Sequence, residues 1–199
     1  MFIVLEGGAG GGKTTQINLL SQALERKGYK VKRVSVLDDT ALGRQIKQIT
    51  KAVPHGEFGH LTEALLFLAA IGHAVSNLIR PALGEGFVVL ANRYIFSTLA
   101  YQGFGEQFDI GWLTELANRV VGNLRPDLTI YLDVPVKKGL ERHVETGDFH
   151  FTQVEFRKRV REGYLKMAAG SENWLVVDAR QNATDAHGVI LEKVLERLC

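Results

Sequence analysis

Cysteine is almost absent: Cys199 stands alone at the end of the 199 residues, so no internal disulfide can staple the chain. That suits a reducing compartment. Charge of one sign is also missing, because 24 Lys and Arg face 22 Asp and Glu for a formal +2, and the balance carries no basic footprint for nucleic acid or membrane. No uncharged run reaches membrane-spanning length. The longest apolar stretch, 61–83, is interrupted by Glu63, His73, Asn77 and Arg80 and reads as a buried helix. Met1 leads straight into a candidate strand with no signal-peptide pattern, so a cytoplasmic location is expected. The six histidines show no i, i+4 pairing of the kind that holds a metal on a helix. Repeats, low-complexity segments and linkers are lacking too, which leaves 1–199 as one domain able to bury one core.

What is present is alternation. Short apolar runs rich in β-branched and aromatic residues occur at 2–5, 31–36, 87–91, 128–132 and 174–177. Helical patterns lie at 14–27, 57–83, 110–121, 136–144, 152–169 and 184–198, three of them stopping at Gly28, Gly122 and Gly170. Thr152 and Glu155 have the spacing of a capping box. Near-continuous apolar strands are covered on both faces, so the pattern predicts an α/β fold: a five-stranded parallel sheet with helices on both faces and ligands at the carboxyl ends of its strands.

Directly after the first strand stands Gly7-Gly8-Ala9-Gly10-Gly11-Gly12-Lys13-Thr14, a complete G-x-x-x-x-G-K-[ST] phosphate loop. Its glycines let backbone N–H groups converge on phosphate oxygens, and the helix that follows adds its positive end. Lys13 is expected at the β/γ-phosphates of ATP, Thr14 on Mg²⁺, and Thr15 beside it in the same binding turn.

Four segments, FIVLEGGAGGGKTTQ, EALLFLAAIGHAVSNLIRPAL, NRYIFSTLAYQG and LRPDLTIYLDVP, together resemble the thymidylate kinase family, in its order and at its separations over nearly the whole chain. The resemblance implies a three-layer P-loop kinase fold with a short lid near 143–153 and ATP-dependent phosphorylation of dTMP to dTDP. By the same resemblance Phe67 stacks on the base, Arg93 binds the acceptor phosphate, Ser97, Tyr101 and Gln102 line base and sugar, and Asn92 supports Mg²⁺. Arg142 matches a family arginine and joins Lys13 and Arg93 as a candidate catalytic residue. A two-fold homodimer through the 61–83 helix is implied as well.

The departures fall on catalytic positions. Ala9 replaces a carboxylate, Asn92 an aspartate and Ile71 an arginine, while 36–40 reads Val-Leu-Asp-Asp-Thr in place of Glu-Pro-Gly-Gly-Thr. Gly10 stands where some members carry an arginine, and the lid segment Gly147-Asp148-Phe149-His150-Phe151 supplies none. Such an arginine can be worth about 10³–10⁵ in rate. Arg157, Lys158, Arg159 and Arg161 follow on the next helix, where they read as a solvated face from which one could swing inward. Two alternatives stand beside the kinase reading: a catalytically weakened nucleotide-binding relative, and a kinase for a different nucleoside monophosphate.

Overall fold

The computed structural model describes residues 1–53, 57–143 and 154–198. Five strands, β1 (Phe2–Gly7), β2 (Val31–Ser35), β3 (Val88–Asn92), β4 (Leu128–Asp133) and β5 (Trp174–Asp178), form one sheet in the order β2-β3-β1-β4-β5. Every pairing is parallel, as the expected fold requires. β1 is central and buried along its whole length.

Alternation along β1 divides the core. Phe2 and Val4 pack with Val89 and Ala91 on one face, beneath α3 (Gly59–Ala74) and α6 (Ile110–Val120). Ile3 and Leu5 pack with Val88 and Leu90 on the other, beneath α1 (Lys13–Arg26) and α9 (Ala183–Leu198). The apolar helix is continuous over Gly59–Gly84: α3 runs into a π-helical turn at Val75–Ile79 and then into α4 (Arg80–Gly84). Its length and composition would suffice to cross a membrane, but Leu68, Ile71, Val75 and Ile79 are spent on the core. The helix stops at Gly28, Gly122 and Gly170 hold, each glycine having positive φ (89°, 58° and 74°).

Two helical stretches exceed the sequence reading. α2 (Ala41–Ala52) is capped by the Thr40 hydroxyl, which accepts from the Gly43 N–H at 2.9 Å. Among its residues only Gly43 and Ile46 are buried, so its apolar stripe is too thin to stand out. α5 (Ile95–Thr98) passes into a π-helical turn, Leu99–Gly105, whose two glycines read as breakers. They serve close packing instead: a Cβ at Gly105 would lie 2.5 Å from Phe156 Cε2 of α8 (Val154–Ala168). The remaining helix, α7 (Val136–His143), follows β4. The Thr152 half of the expected capping box and the lid segment 147–151 lie outside the described residues.

Gly163 of α8 packs against the same π-helical turn, and a Cβ there would lie 2.5 Å from Phe104 Cδ2. Gly163→Ala should therefore push α8 off that turn and cost about 1–3 kcal/mol in urea denaturation. An unchanged midpoint would mean that the contact is looser than it looks.

Candidate active site

The phosphate loop leaves the carboxyl end of β1 and feeds α1. Gly7, Gly10 and Gly12 have φ of 148°, 71° and 84°, a region costly for other residues. A Cβ on Gly10 would stand 2.5 Å from the Gly139 carbonyl oxygen and 3.1 Å from Arg142 Cβ, so this loop has no room for an arginine there. Gly12 precedes α1 without any side-chain cap, leaving the first-turn N–H groups free of competition from a capping oxygen. Thr14 and Thr15 lie exposed on that turn. The Lys13 ammonium donates to the Gly7 and Gly8 carbonyl oxygens, both at 2.9 Å. Burial, reinforced by the Arg93 charge, holds its pKa well below the usual lysine range.

Beside the loop opens a cavity of about 250 Å³, lined by Gly8, Ala9, Phe67, Ile71, Arg93, Tyr101 and Gln102. Beneath it lies Glu6, the residue before the first loop glycine, with 0% of its surface exposed. Glu6 Oε1 accepts from the Tyr94 N–H at 2.8 Å, and Oε2 accepts from the hydroxyls of Ser97 at 2.6 Å and Tyr164 at 2.9 Å. Burial raises its pKa above 4.5, against the opposing pull of Arg93 and these donors.

Arg93 sits above this carboxylate with φ 70°, a left-handed backbone that costs a non-glycine residue about 1–3 kcal/mol. Its N–H donates to Leu5 O at 3.0 Å, tying the bend to β1. Nη1 donates to Ser97 Oγ at 3.0 Å, Nη2 to the Tyr101 hydroxyl at 3.4 Å, and Cζ lies 5.2 Å from the Tyr101 ring centroid. Burial works against the guanidinium charge, but Tyr101, Tyr164 and Glu6 outweigh it and raise its pKa. Arg93 is thus a fork of donors held charged at the cavity wall.

Ser97, expected near the base, has its hydroxyl bonded between Glu6 and Arg93, while Tyr101 both lines the cavity and carries the guanidinium. Phe67 lines the cavity half-buried. Gln102 is 1% exposed, with Nε2 donating to Glu63 Oε2 at 3.0 Å and Oε1 lacking a partner among the described residues. Asn92 ends β3 in register with Leu5, and its Oδ1 is likewise buried without a partner among the described residues. Arg142 is not among the cavity-lining residues; on α7 it flanks the loop at Gly10 and donates from Nη1 to Ala179 O at 2.9 Å.

The cations of α8 correct the expectation of a solvated face. Lys158 fits it, being exposed and paired with Glu155 at 2.7 Å, but Arg157 and Arg161 line the cavity. Arg161 grips Asp133 with two 2.7 Å bonds, Arg159 donates to Gly105 O at 2.9 Å, and burial lowers the Arg157 pKa. Sequence reasoning also missed Glu6, Glu63 and Tyr164. For Glu6 a signal existed: a carboxylate continuing an apolar strand directly into a phosphate loop.

A parallel α/β sheet with a phosphate loop on its central strand, and an arginine-bearing cavity at the same carboxyl edge, defines a P-loop enzyme acting on phosphorylated small molecules. The pattern of the thymidylate kinase family matches residues 5–190. The chain is 42% identical over 205 residues to a thymidylate kinase of Thermomicrobium roseum, covering 98% of this chain and 96% of that one. It is 38% identical over 196 residues to a thymidylate kinase of Desulfovibrio desulfuricans (93% and 90% covered), and 38% over 207 residues to a probable thymidylate kinase of Thermococcus gammatolerans (98% of each). This chain belongs to the thymidylate kinase family of nucleoside monophosphate kinases.

The raised Glu6 pKa has a consequence for stability. The folded state holds this proton more tightly than the unfolded chain, so the associated stability is fully present below pH 4.5 and is lost as pH rises through the folded value. Glu6→Gln should flatten the decline of unfolding free energy as pH rises above 4.5. Parallel profiles for the two proteins would contradict the burial of an ionising Glu6.

Proposed function

We propose that this chain transfers the γ-phosphoryl group of ATP to the phosphate of dTMP, releasing ADP and dTDP. One observation carries the reading: Gly8 and Ala9 of the phosphate loop line the same cavity as Arg93, Phe67 and Gln102, which suits donor and acceptor meeting across one space. The names of the relatives favour dTMP over another monophosphate.

ATP lies along residues 7–15, its phosphates met by the loop N–H groups and the start of α1. Lys13 exchanges its bonds to Gly7 O and Gly8 O for the β/γ-phosphates, regaining partners for an ammonium that burial has made costly. Arg93 holds the acceptor phosphate with the Nη atoms that Ser97 and Tyr101 keep in place, and Phe67 offers the base a flat apolar face. Catalysis is positioning plus charge stabilisation, with no covalent nucleophile. Gly10 carries no side chain, so stabilising charge comes from Lys13, Arg93 and the flanking Arg142, with Arg157 and Arg161 also lining the cavity.

The oxygen donors Thr14 Oγ1 and Asn92 Oδ1 fit a hard cation, and the unpartnered, buried Asn92 oxygen is the observation that favours it. Bound Mg²⁺ would neutralise charge on the phosphate oxygens. The exposed Leu61 and Leu65 on α3 favour a two-fold homodimer through the 61–83 helix. A cytoplasmic setting, with no nucleic acid or membrane as partner, completes the reading and is favoured by the near-neutral charge and single cysteine.

Lys13→Ala should lower dTDP formation by about 10²–10³ or more in a coupled ADP-release assay. The wild type should lose activity in EDTA and regain it with added Mg²⁺. Undiminished turnover by Lys13→Ala would sink the assignment.

A further inference from the structure

Gln102 sits in the π-helical turn Leu99–Gly105, nearly fully buried, and lines the cavity beside Phe67. A primary amide has a donor end and an acceptor end, and turning it over exchanges the two. Left free, Gln102 could offer either one to a base. Here Nε2 donates to Glu63 Oε2 at 3.0 Å, while Oε1 is buried with no partner among the described residues. An ionised carboxylate can only accept, so Glu63 fixes the donor end toward itself and leaves the acceptor end for a ligand. Glu63 and Phe67 stand four residues apart on α3, on one helix face, and both line the cavity. Ile71, one turn further on, also lines it and adds no polar atom.

We infer that Glu63 is a positioning residue for base specificity: by locking the Gln102 amide it leaves a lone acceptor, which selects pyrimidines whose ring nitrogen carries hydrogen over those whose ring nitrogen is itself an acceptor. Thymine N3 bears the required hydrogen. Cytosine N3 presents a lone pair, which would leave two acceptors facing each other and both unpaired. The inference rests on the reading of Gln102 as a base contact.

The test measures KM for dTMP, and the competitive inhibition constant of dCMP against dTMP, in the wild type, Glu63→Gln, Glu63→Asp and Gln102→Leu. In Glu63→Gln the partner can donate or accept, so Gln102 is free to turn. The ratio of the dCMP constant to the dTMP KM should fall by about tenfold or more, with kcat at saturating dTMP and KM for ATP within about twofold of wild type. Glu63→Asp, which keeps an acceptor-only partner, should retain more of the ratio than Glu63→Gln. Glu63→Ala replaces Glu63→Gln if the latter does not fold, with the same expected fall. A wild-type ratio in Glu63→Gln alongside a lowered ratio in Gln102→Leu overturns the lock. A wild-type ratio in Gln102→Leu overturns the base contact itself, and the lock with it.

Discussion

A carboxylate buried under a cationic side chain governs the arrangement of this molecule. Glu6 receives the Tyr94 N–H, the Ser97 hydroxyl and the Tyr164 hydroxyl, partners 88, 91 and 158 residues away in the chain. Three elements are pinned to the carboxyl end of β1 by these bonds: the turn after β3, α5 and α8. Buried charge is tolerated only when paired and hydrogen-bonded. Glu6 has three donors and the Arg93 charge nearby, which oppose but do not cancel the effect of burial, while Arg93 is held by Ser97 and by the ring and hydroxyl of Tyr101.

The same strand end sets the donor side. Gly7 follows Glu6 directly, and its conformation, with φ 148° and a Cβ position 2.8 Å from Leu132 O, admits no side chain. One step along β1 thus separates the support of Arg93 from the loop that holds Lys13. Parallel strand order makes this possible, since the carboxyl ends of β3, β1 and β4 lie side by side and deliver Asn92, Gly7 and Asp133 to one edge. Asp133 then anchors Arg161, bringing α8 and its cations to the cavity wall.

Strands, the phosphate loop and three glycine helix stops were legible because each is a local signal: an apolar run, a spacing, a residue that tolerates positive φ. Helix α2 was not, since among its residues only Gly43 and Ile46 face the core. The π-helical turn was hidden by two glycines whose purpose is packing: Gly105 leaves room for Phe156 of α8, some fifty residues on, and Gly103 for Ile110 of α6. Arg93, Phe67 and Gln102, which line the cavity, were named from family resemblance, but the partners that hold Arg93 and Gln102 were not. Tyr164 reaches Glu6 across most of the chain, and Arg157 and Arg161 turn inward from a helix whose charge pattern reads as solvated. Departures from the family gain physical content too: Gly10 is fixed by the Gly139 carbonyl, and Asn92 keeps an unpartnered oxygen where the charge was lost.

If Glu6 organises the acceptor side through Arg93, its loss must be felt by one substrate and not the other. The most direct measurement is the pair of Michaelis constants in Glu6→Gln, with dTMP and ATP varied in turn. The KM for dTMP should rise by about tenfold or more while that for ATP stays within about twofold, since the loop and Lys13 are formed by other contacts. An unchanged dTMP constant, or a rise confined to ATP, would contradict the role given to Glu6.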